Sequence, residues 1–505
     1  RAPGPRLERL GQRYWPEAIQ PEDAPETMGL RTPQQYVDSL KDGRTVFYRG
    51  EQVPDVTAHP IIKKAVHHAS IDFEMAEDPA YRDLAVVAEG AEQYSRYYKI
   101  PANTDDLLKR SQLIEAATAL GKTLVVLVKE IGTDALFALH RVSRQVDQKY
   151  ETDYLRRVEA FYRHCRDNDL AVSVAQTDVK GDRSAGPRNQ SDPDMYTRIV
   201  ERRPDGIVVR GAKLHTSCTT NVNELIVLPT RALGEGDQDY ALAFAIPVDT
   251  PGLKLVASPY GGSPKSEFDA PLSAEHKMME TITIFDDVFV PWERVFMAGE
   301  HDFAGPLALG FVEYHRFTAV SYKLPLVDAL VGSALLMAEM NGISKAAHVR
   351  DKLIWLISYA ETVRALTEMA AIRGRADENG IFAPDALTTN MAKYHFAHHY
   401  HEALQHVQDV AGGMLVTGPG VEDFASPETG ALLRKYLAGR AGVDGEARTR
   451  AMNMVSDLTT GEFGGYHAVL AIHAEGSLEA EKLMISRAYD GKRTLEYAKR
   501  LAGLA

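Results

Sequence analysis

Hydrophobic spacing divides the chain into three textures. From about residue 60 to 168 apolar positions recur three and four apart: Leu155, Val158, Phe161 with Tyr162, and Cys165 share one helical face. Thr104-Asp105-Asp106 ahead of Leu107 and Leu108 predicts a helix start, with carboxylates at the positive end of the dipole. A second stripe, Leu124, Leu127 with Val128, Ile131, Ala135 and Leu139, predicts another helix, weakened by β-branched Val125-Val126. Upstream, Thr32 and Pro33 predict a short helix over 32–40, and alternation broken at Gly50 predicts a hairpin over 45–56. Between roughly 170 and 300 the pattern shortens to strand-like runs at 196–201, 207–213, 224–229, 240–248, 253–258 and 281–285. Turn material separates them, including Arg203-Pro204-Asp205-Gly206 and Tyr260-Gly261-Gly262-Ser263-Pro264. Consecutive strands without intervening helices predict an antiparallel sheet, not βαβ units. Beyond 303 helices return: Val349, Leu353, Leu356 with Ile357, Ala360 and Val363 line one side of 344–371, and 391–410 and 477–501 follow the same logic. The expected fold class is α+β multidomain. It comprises an extension over 1–30, an N-terminal helical domain over 31–168, a middle antiparallel β domain over 169–302 and a C-terminal helical bundle over 303–505.

Composition narrows the function classes. At 505 residues, 45% apolar and 25% charged, the chain is too long for one core and too apolar to be largely disordered. Runs of large apolar residues stop at five positions (124–128 and 353–357) against about 20 for a span, so no transmembrane helix is expected. The first thirty residues lack an apolar h-region, so no signal peptide is expected. A net charge of −13 disfavours nucleic acid, although a local basic cluster can still take a CoA-like anion. Two cysteines, Cys165 and Cys218, cannot build a disulfide framework or a four-thiolate site. The chain reads as a soluble cytoplasmic protein.

Several motifs carry a plainer reading beside the chemical one. Gly121-Lys122-Thr123 ends like a phosphate loop, but Ala116 stands where the leading glycine belongs, and no Gly-x-Gly-x-x-Gly follows a strand. A nicotinamide domain is therefore unsupported. His395 and His399, four apart, with Glu402 and nearby His398, His401 and His406, have metal-ligand spacing; with no outside ligand set, a titrating helix face is preferred and no metal is expected. Residues 178–184 form a charged loop after a short strand. Lys213-Leu214-His215-Thr216-Ser217-Cys218-Thr219-Thr220 crowds hydroxyls and an imidazole where a half-buried strand should alternate, which suits a heterocycle edge or a pyrophosphate. His315 and Tyr322 fall near one helix face, with Lys323 beside them.

With these residues in view, the chain resembles the 4-hydroxyphenylacetate 3-hydroxylase family, which also contains 4-hydroxybutyryl-CoA dehydratase. The resemblance rests on Arg31-Thr-Pro-Gln-Gln-Tyr-Val-Asp-Ser-Leu40, Asn168-Asp-Leu170, Gly206-Ile-Val-Val-Arg-Gly-Ala-Lys213 and the block from Phe285 to Phe296. It implies an acyl-CoA-dehydrogenase-like fold, usually tetrameric, with FAD between the middle sheet and the C-terminal bundle. It places Gln176, Thr177, Asp178, Lys180, Gly181, Asp182, Arg183, His215, Thr216, Ser217, Phe463, Gly464 and Gly465 on the cofactor. The dehydratase branch holds a four-iron cluster on three cysteines and a histidine; His315 matches the histidine, but Val126, Glu130 and Tyr322 stand at the cysteine positions. A soft cluster is not held by such groups, so none is expected. The hydroxylase branch's phenol-binding histidine matches Val174, and of its Arg–Tyr pair only Arg110 is present. The implied activity is a two-component monooxygenase. It takes reduced FAD from a separate reductase and hydroxylates a phenolic or other electron-rich small molecule with O2, through a flavin C4a-hydroperoxide. His315, Lys323, Tyr322 and Arg110 are the candidate catalytic residues. The alternative is a cluster-free, flavin-dependent acyl-CoA dehydratase or isomerase with Glu280 and His315 as its proton-transfer pair.

Overall fold

The computed structural model describes residues 29–263 and 265–504, so nearly all of the expected N-terminal extension, and Pro264 of the glycine-rich turn, lie outside them. The helical N-terminal part contains α1 (Pro33–Ser39), α2 (Ile62–Glu77), α3 (Thr104–Leu120), α4 (Glu130–Tyr150) and α5 (Tyr154–Asp167). Thr32 and Gln35 close a reciprocal capping box on α1, and Asn103 caps α3 through the Asp106 amide. The helix expected from Leu124 starts only at Glu130. Residues 124–128 are fully buried without helical structure, and Leu127 has φ 66°, so their apolar spacing reflects burial on all sides.

The middle part holds two sheets. The six-stranded one has the order β2-β1-β8-β9-β5-β4: β1 (Val46–Tyr48), β2 (Glu51–Val53), β4 (Arg198–Arg203), β5 (Gly206–Ser217), β8 (Leu253–Ala257) and β9 (Glu280–Pro291). The four-stranded one has the order β10-β7-β6-β3: β3 (Val172–Ala175), β6 (Glu224–Val227), β7 (Leu242–Pro247) and β10 (Val295–Ala298). Most pairs are antiparallel as expected, but β1–β8 and β3–β6 are parallel. The 45–56 hairpin, expected with the N-terminal helices, adds β1 and β2 to this sheet. Local alternation identifies a strand but carries no information about a distant partner. β5 and β9 run 12 residues each, beyond the expected runs, because register shifts near Thr281 and Phe285 interrupt their alternation.

The C-terminal part is a bundle of α6 (His301–Met340), α7 (Ala347–Ile372) and α8 (Ala386–Ala411), followed by α9 (Gly445–Thr459), α10 (Glu462–His473) and α11 (Leu478–Ala488). The expected helix over 477–501 breaks after Ala488, where Asp490 caps a new helix, Gly491–Leu501. α6 is long and apolar enough to cross a membrane by length and composition, a candidate that counting unbroken apolar runs misses. It packs against α3, α4, α7 and α8, 61% of its most apolar window is buried, and it carries buried Arg316 and Lys323. On α8, His395, His399 and His406 pack on Trp355 and Tyr359 of α7; among the described residues no group of three or more His, Cys, Asp or Glu is placed to hold a metal.

Gly132, in the first turn of α4, lets that helix press on β3. An ideal Cβ there would sit 2.7 Å from the Val172 carbonyl oxygen and 2.5 Å from its Cβ. Gly132→Ala is expected to destabilise the fold by about 1–3 kcal/mol, seen as a fall of several degrees in thermal unfolding; an unchanged Tm would refute this packing.

Candidate functional site

β5 and β9 pair Ser217 with Glu280 and Thr216 with Thr281, then Lys213 with Thr283, so Leu214 and His215 together oppose Ile282 alone. This bulge holds His215 at φ 54°, a left-handed conformation that a side chain rarely adopts, and turns both residues toward one cavity. The cavity measures about 630 Å³. It lies between the ends of β5, β8 and β9, the connection 258–277, and the first turns of α10. Leu124, Val256, Met278, Ile282, Phe463 and Val469 give it a mainly apolar wall, within which a few polar groups converge.

Glu280 is the acid of this cavity. Its carboxylate accepts hydrogen bonds from Ser217 Oγ at 3.0 Å and Tyr466 Oη at 2.6 Å. Burial raises its pKa, and the bonds to Tyr466 and Ser217, with Lys277 nearby, pull it partly back. Burial pushes Lys277 down to about 8, Glu462 and Glu280 opposing and Lys64 and Lys265 assisting; its Nζ donates to the Tyr260 carbonyl at 2.5 Å. His276 also lines the cavity, and its Nδ1 lies 3.1 Å from His68 Nδ1.

The 176–183 loop runs beside β5. Lys213 Nζ donates to the carbonyls of Gln176 (2.9 Å) and Leu228 (3.0 Å) and to Asp178 Oδ1 (2.6 Å), while Leu214 N donates to the Thr177 carbonyl. Gln176, Thr177 and Asp178 therefore anchor the loop. Gly181 turns it at φ 49°, and the Gln190 side chain clasps both main-chain groups of Asp182. Among the described residues no carboxylate is hydrogen-bonded to Lys180 or Arg183. Burial, then Arg183, lower the Lys180 pKa, Asp178 opposing and Arg231 assisting; Lys180 in turn adds to the burial that lowers His215. In a chain of net charge −13 this is a local cationic ridge.

The other expected residues divide. Phe463 and Gly465 line the cavity. Gly464 lets α10 pass close to Leu458, whose carbonyl oxygen an added Cβ would approach to 2.7 Å. Ser217 serves through Glu280, whereas the Thr216 hydroxyl is buried with no partner among the described residues. The four candidate catalytic residues do not line this cavity but sit in two buried networks. In one, Asp134 accepts from Arg110 (2.7 Å) and Thr318 (3.0 Å) and meets His315 Nδ1 at 3.1 Å. In the other, Glu475 accepts from Tyr322 and from Lys323 (3.0 Å), with Lys393 at 3.7 Å. Burial drives Lys323 well below and Glu475 well above their ordinary pKa values. Tyr322 and Lys323 border only a recess of about 20 Å³; Leu124 lines both it and the large cavity.

Motif reading passed over Tyr466, Lys277, His276, Asp134 and Glu475. None lies in a recognisable pattern, and all but Lys277, which bonds Tyr260 within its own connection, acquire their partners from a distant segment; Glu280 was visible as a matched carboxylate. At the positions matching the dehydratase cysteines, Val126 and Glu130 are fully buried and Tyr322 is held by Glu475. Cys218 Sγ does lie 3.8 Å from the Val126 carbonyl, but it is a single thiol whose pKa burial raises far up.

The chain is similar to known proteins over nearly all of its described length. The models for the N- and C-terminal parts of 4-hydroxyphenylacetate 3-hydroxylase match residues 32–297 and 304–503. The 4-hydroxybutyryl-CoA dehydratase/vinylacetyl-CoA-Δ-isomerase of Clostridium aminobutyricum is 34% identical over 94% of this chain and 100% of its own length. The oxygenase component of 4-hydroxyphenylacetate 3-monooxygenase from Thermus thermophilus is 31% identical over 86% and 89%. Among solved structures, an oxygen-tolerant archaeal 4-hydroxybutyryl-CoA dehydratase from N. maritimus superposes with a TM-score of 0.88 at 32% identity, covering 94% of this chain and 95% of that one. An oxygenase component of 4-hydroxyphenylacetate 3-monooxygenase complexed with FAD gives 0.87 at 28% identity, covering 93% and 98%. Butyryl-CoA dehydrogenase from Megasphaera elsdenii, at 15% identity and a TM-score of 0.50 over 92% of this chain and 99% of that one, shares the fold alone.

Proposed function

The chain belongs to the 4-hydroxyphenylacetate 3-hydroxylase family, and on that premise we propose that it is the FAD-using oxygenase component of a two-component monooxygenase acting on a phenol or related electron-rich ring. The observation that carries this reading is a large, mainly apolar cavity lined by His215, with Lys180 and then Arg183 beside that histidine and in no salt bridge among the described residues. The cavity has the size of small-molecule sites generally, about 300–1,000 Å³, enough for an isoalloxazine with a small ring beside it. The cationic ridge suits a pyrophosphate continuing outside. The residues present therefore fit FAD. Reduced FAD, when bound, supplies the activation of O2. The protein's own part is to hold the pyrophosphate on Lys180 and Arg183, to present His215 along the ring edge, and to exclude water with Leu124, Val256, Ile282 and Phe463. Glu280 and Tyr466 then keep a proton beside the reacting ring. A separate reductase as the source of reduced flavin, and a homotetrameric assembly, belong to the same proposal.

An iron–sulfur cluster does not fit. Val126, Glu130 and Tyr322 offer no thiolate, and one buried thiol at Cys218 cannot replace three. The second reading, a flavin-dependent lyase or isomerase on an acyl-CoA, is favoured by one observation: Glu280, half-buried, raised in pKa and lining the cavity, is suited to proton transfer next to a carbonyl. Titration with FAD followed by acetyl-CoA and with a phenol separates the two. Flavin binding with retention of the phenol supports the first, and retention of the CoA ester alone supports the second.

Lys277 gives this site a pH signature. With its pKa near 8, it is a cation below that value and neutral above it. Affinity for 4-hydroxyphenylacetate, an anionic ring used as a probe, is expected to fall several-fold as pH rises through about 8. Lys277→Met should start from the weaker affinity and lose that limb, measured by ligand titration across pH; a limb that persists in the variant would assign it elsewhere.

A further inference from the structure

We infer that His276 is the hydrogen-bond acceptor for the hydroxyl of the substrate ring, and that His68 is the positioning residue that fixes its tautomer. This rests on the phenol reading above and extends it to a residue pair outside the motifs. The chain of hydrogen bonds leaves one assignment for neutral rings. His68 Nε2 lies 2.9 Å from the Val125 carbonyl oxygen, which can only accept, so Nε2 carries the proton and Nδ1 is bare. His276 Nδ1, 3.1 Å from that bare nitrogen, must donate to it. The remaining nitrogen of His276, Nε2, therefore presents a lone pair, has no hydrogen-bond partner among the described residues, and belongs to a ring bordering the cavity.

The surroundings keep both rings neutral. Burial lowers His68 to about 4 and His276 to about 3, and the charged or titratable groups around His276 act in the same direction: His68 and His67 from α2, Lys122 after α3, with Lys277 its neighbour in the chain. A bare ring nitrogen recognises a hydroxyl that donates, and its lone pair opposes the oxygen of an already ionised phenolate, which has no proton to give. The family resemblance assigns the phenol to a histidine whose place Val174 takes, and Val174 is buried in β3. His276 reaches the cavity from a different segment, so the acceptor is supplied by the 258–277 connection.

The test uses the full-length protein loaded with oxidised FAD and 4-nitrophenol as probe, because its phenol and phenolate forms absorb differently. The wild type should bind the neutral form, with affinity falling as pH passes the ligand's own pKa. His276→Ala should weaken binding about tenfold or more and flatten that pH dependence. His68→Gln keeps a donor for Val125 and an acceptor for His276, so it should retain wild-type behaviour, whereas His68→Leu should move toward His276→Ala. Thermal unfolding checks that each variant is folded, and the His68 pair decides the matter if His276→Ala is not. Unchanged affinity and pH dependence in His276→Ala, a bound phenolate in the wild type, or no binding of the probe overturns the inference. Failure of the monooxygenase reading is a separate result: probe binding that depends on His276 in a protein that makes no hydroxylated product.

Discussion

Lys180→Glu combined with Arg183→Glu is expected to lower affinity for FAD by roughly two to four orders of magnitude while leaving the fold intact. Each charge-assisted hydrogen bond to a phosphate contributes about 1.5–3 kcal/mol, and reversal replaces attraction with repulsion on a protein whose net charge is already −13. The fold should not respond, because neither side chain forms a hydrogen bond or ion pair among the described residues, and the loop is held instead by Lys213, Thr230 and Gln190. Equilibrium titration of flavin fluorescence measures the loss, and the wild-type affinity should also weaken with added salt. A double variant that binds FAD normally would place the pyrophosphate elsewhere.

Asp134→Ala is expected to act in the opposite manner, costing about 3–5 kcal/mol of stability. Removing this carboxylate leaves the Arg110 guanidinium buried without its counter-ion and frees Thr318 and His315, so α3, α4 and α6 lose the polar contact that joins them. Thermal unfolding should fall by several degrees or more, while FAD affinity measured well below the transition changes little. Asp134→Asn, which can still accept from Arg110, should fall less. If instead Asp134→Ala unfolds like wild type but loses turnover, the Arg110–Asp134–His315 network belongs to the chemistry, as the sequence alone suggested for Arg110 and His315.

The order of layers was legible because helix and strand periodicities differ, and helix starts were legible where a local device fixes them, as at Thr32 with Gln35. What failed was information that resides in partners. Residues 124–128 satisfy helical spacing, yet they are buried on all sides, so periodicity could not report a face. The 45–56 hairpin looks local, yet β1 pairs in parallel with β8 some two hundred residues away. At the candidate site, the broken alternation at 213–220 did mark the bulge that exposes His215. The cavity's other walls could not be read: Tyr466 reaches Glu280 across 186 residues, and His68 meets His276 across 208. Neither pair has a spacing signature, and only the fold brings them together.

The proposed hydroxylation of a phenol in this cavity, with reduced FAD activating O2, is open to direct measurement. The most direct measurement supplies the protein with FAD, a flavin reductase, NADH and isotopically labelled O2, with 4-hydroxyphenylacetate and 4-nitrophenol as substrates, and follows the label by mass spectrometry. One labelled oxygen atom is expected in a hydroxylated product, with the Lys180→Glu/Arg183→Glu variant inactive at FAD concentrations that saturate the wild type. Oxygen consumption that yields only hydrogen peroxide with every phenol tried, in a protein that retains FAD and a CoA ester, would contradict it.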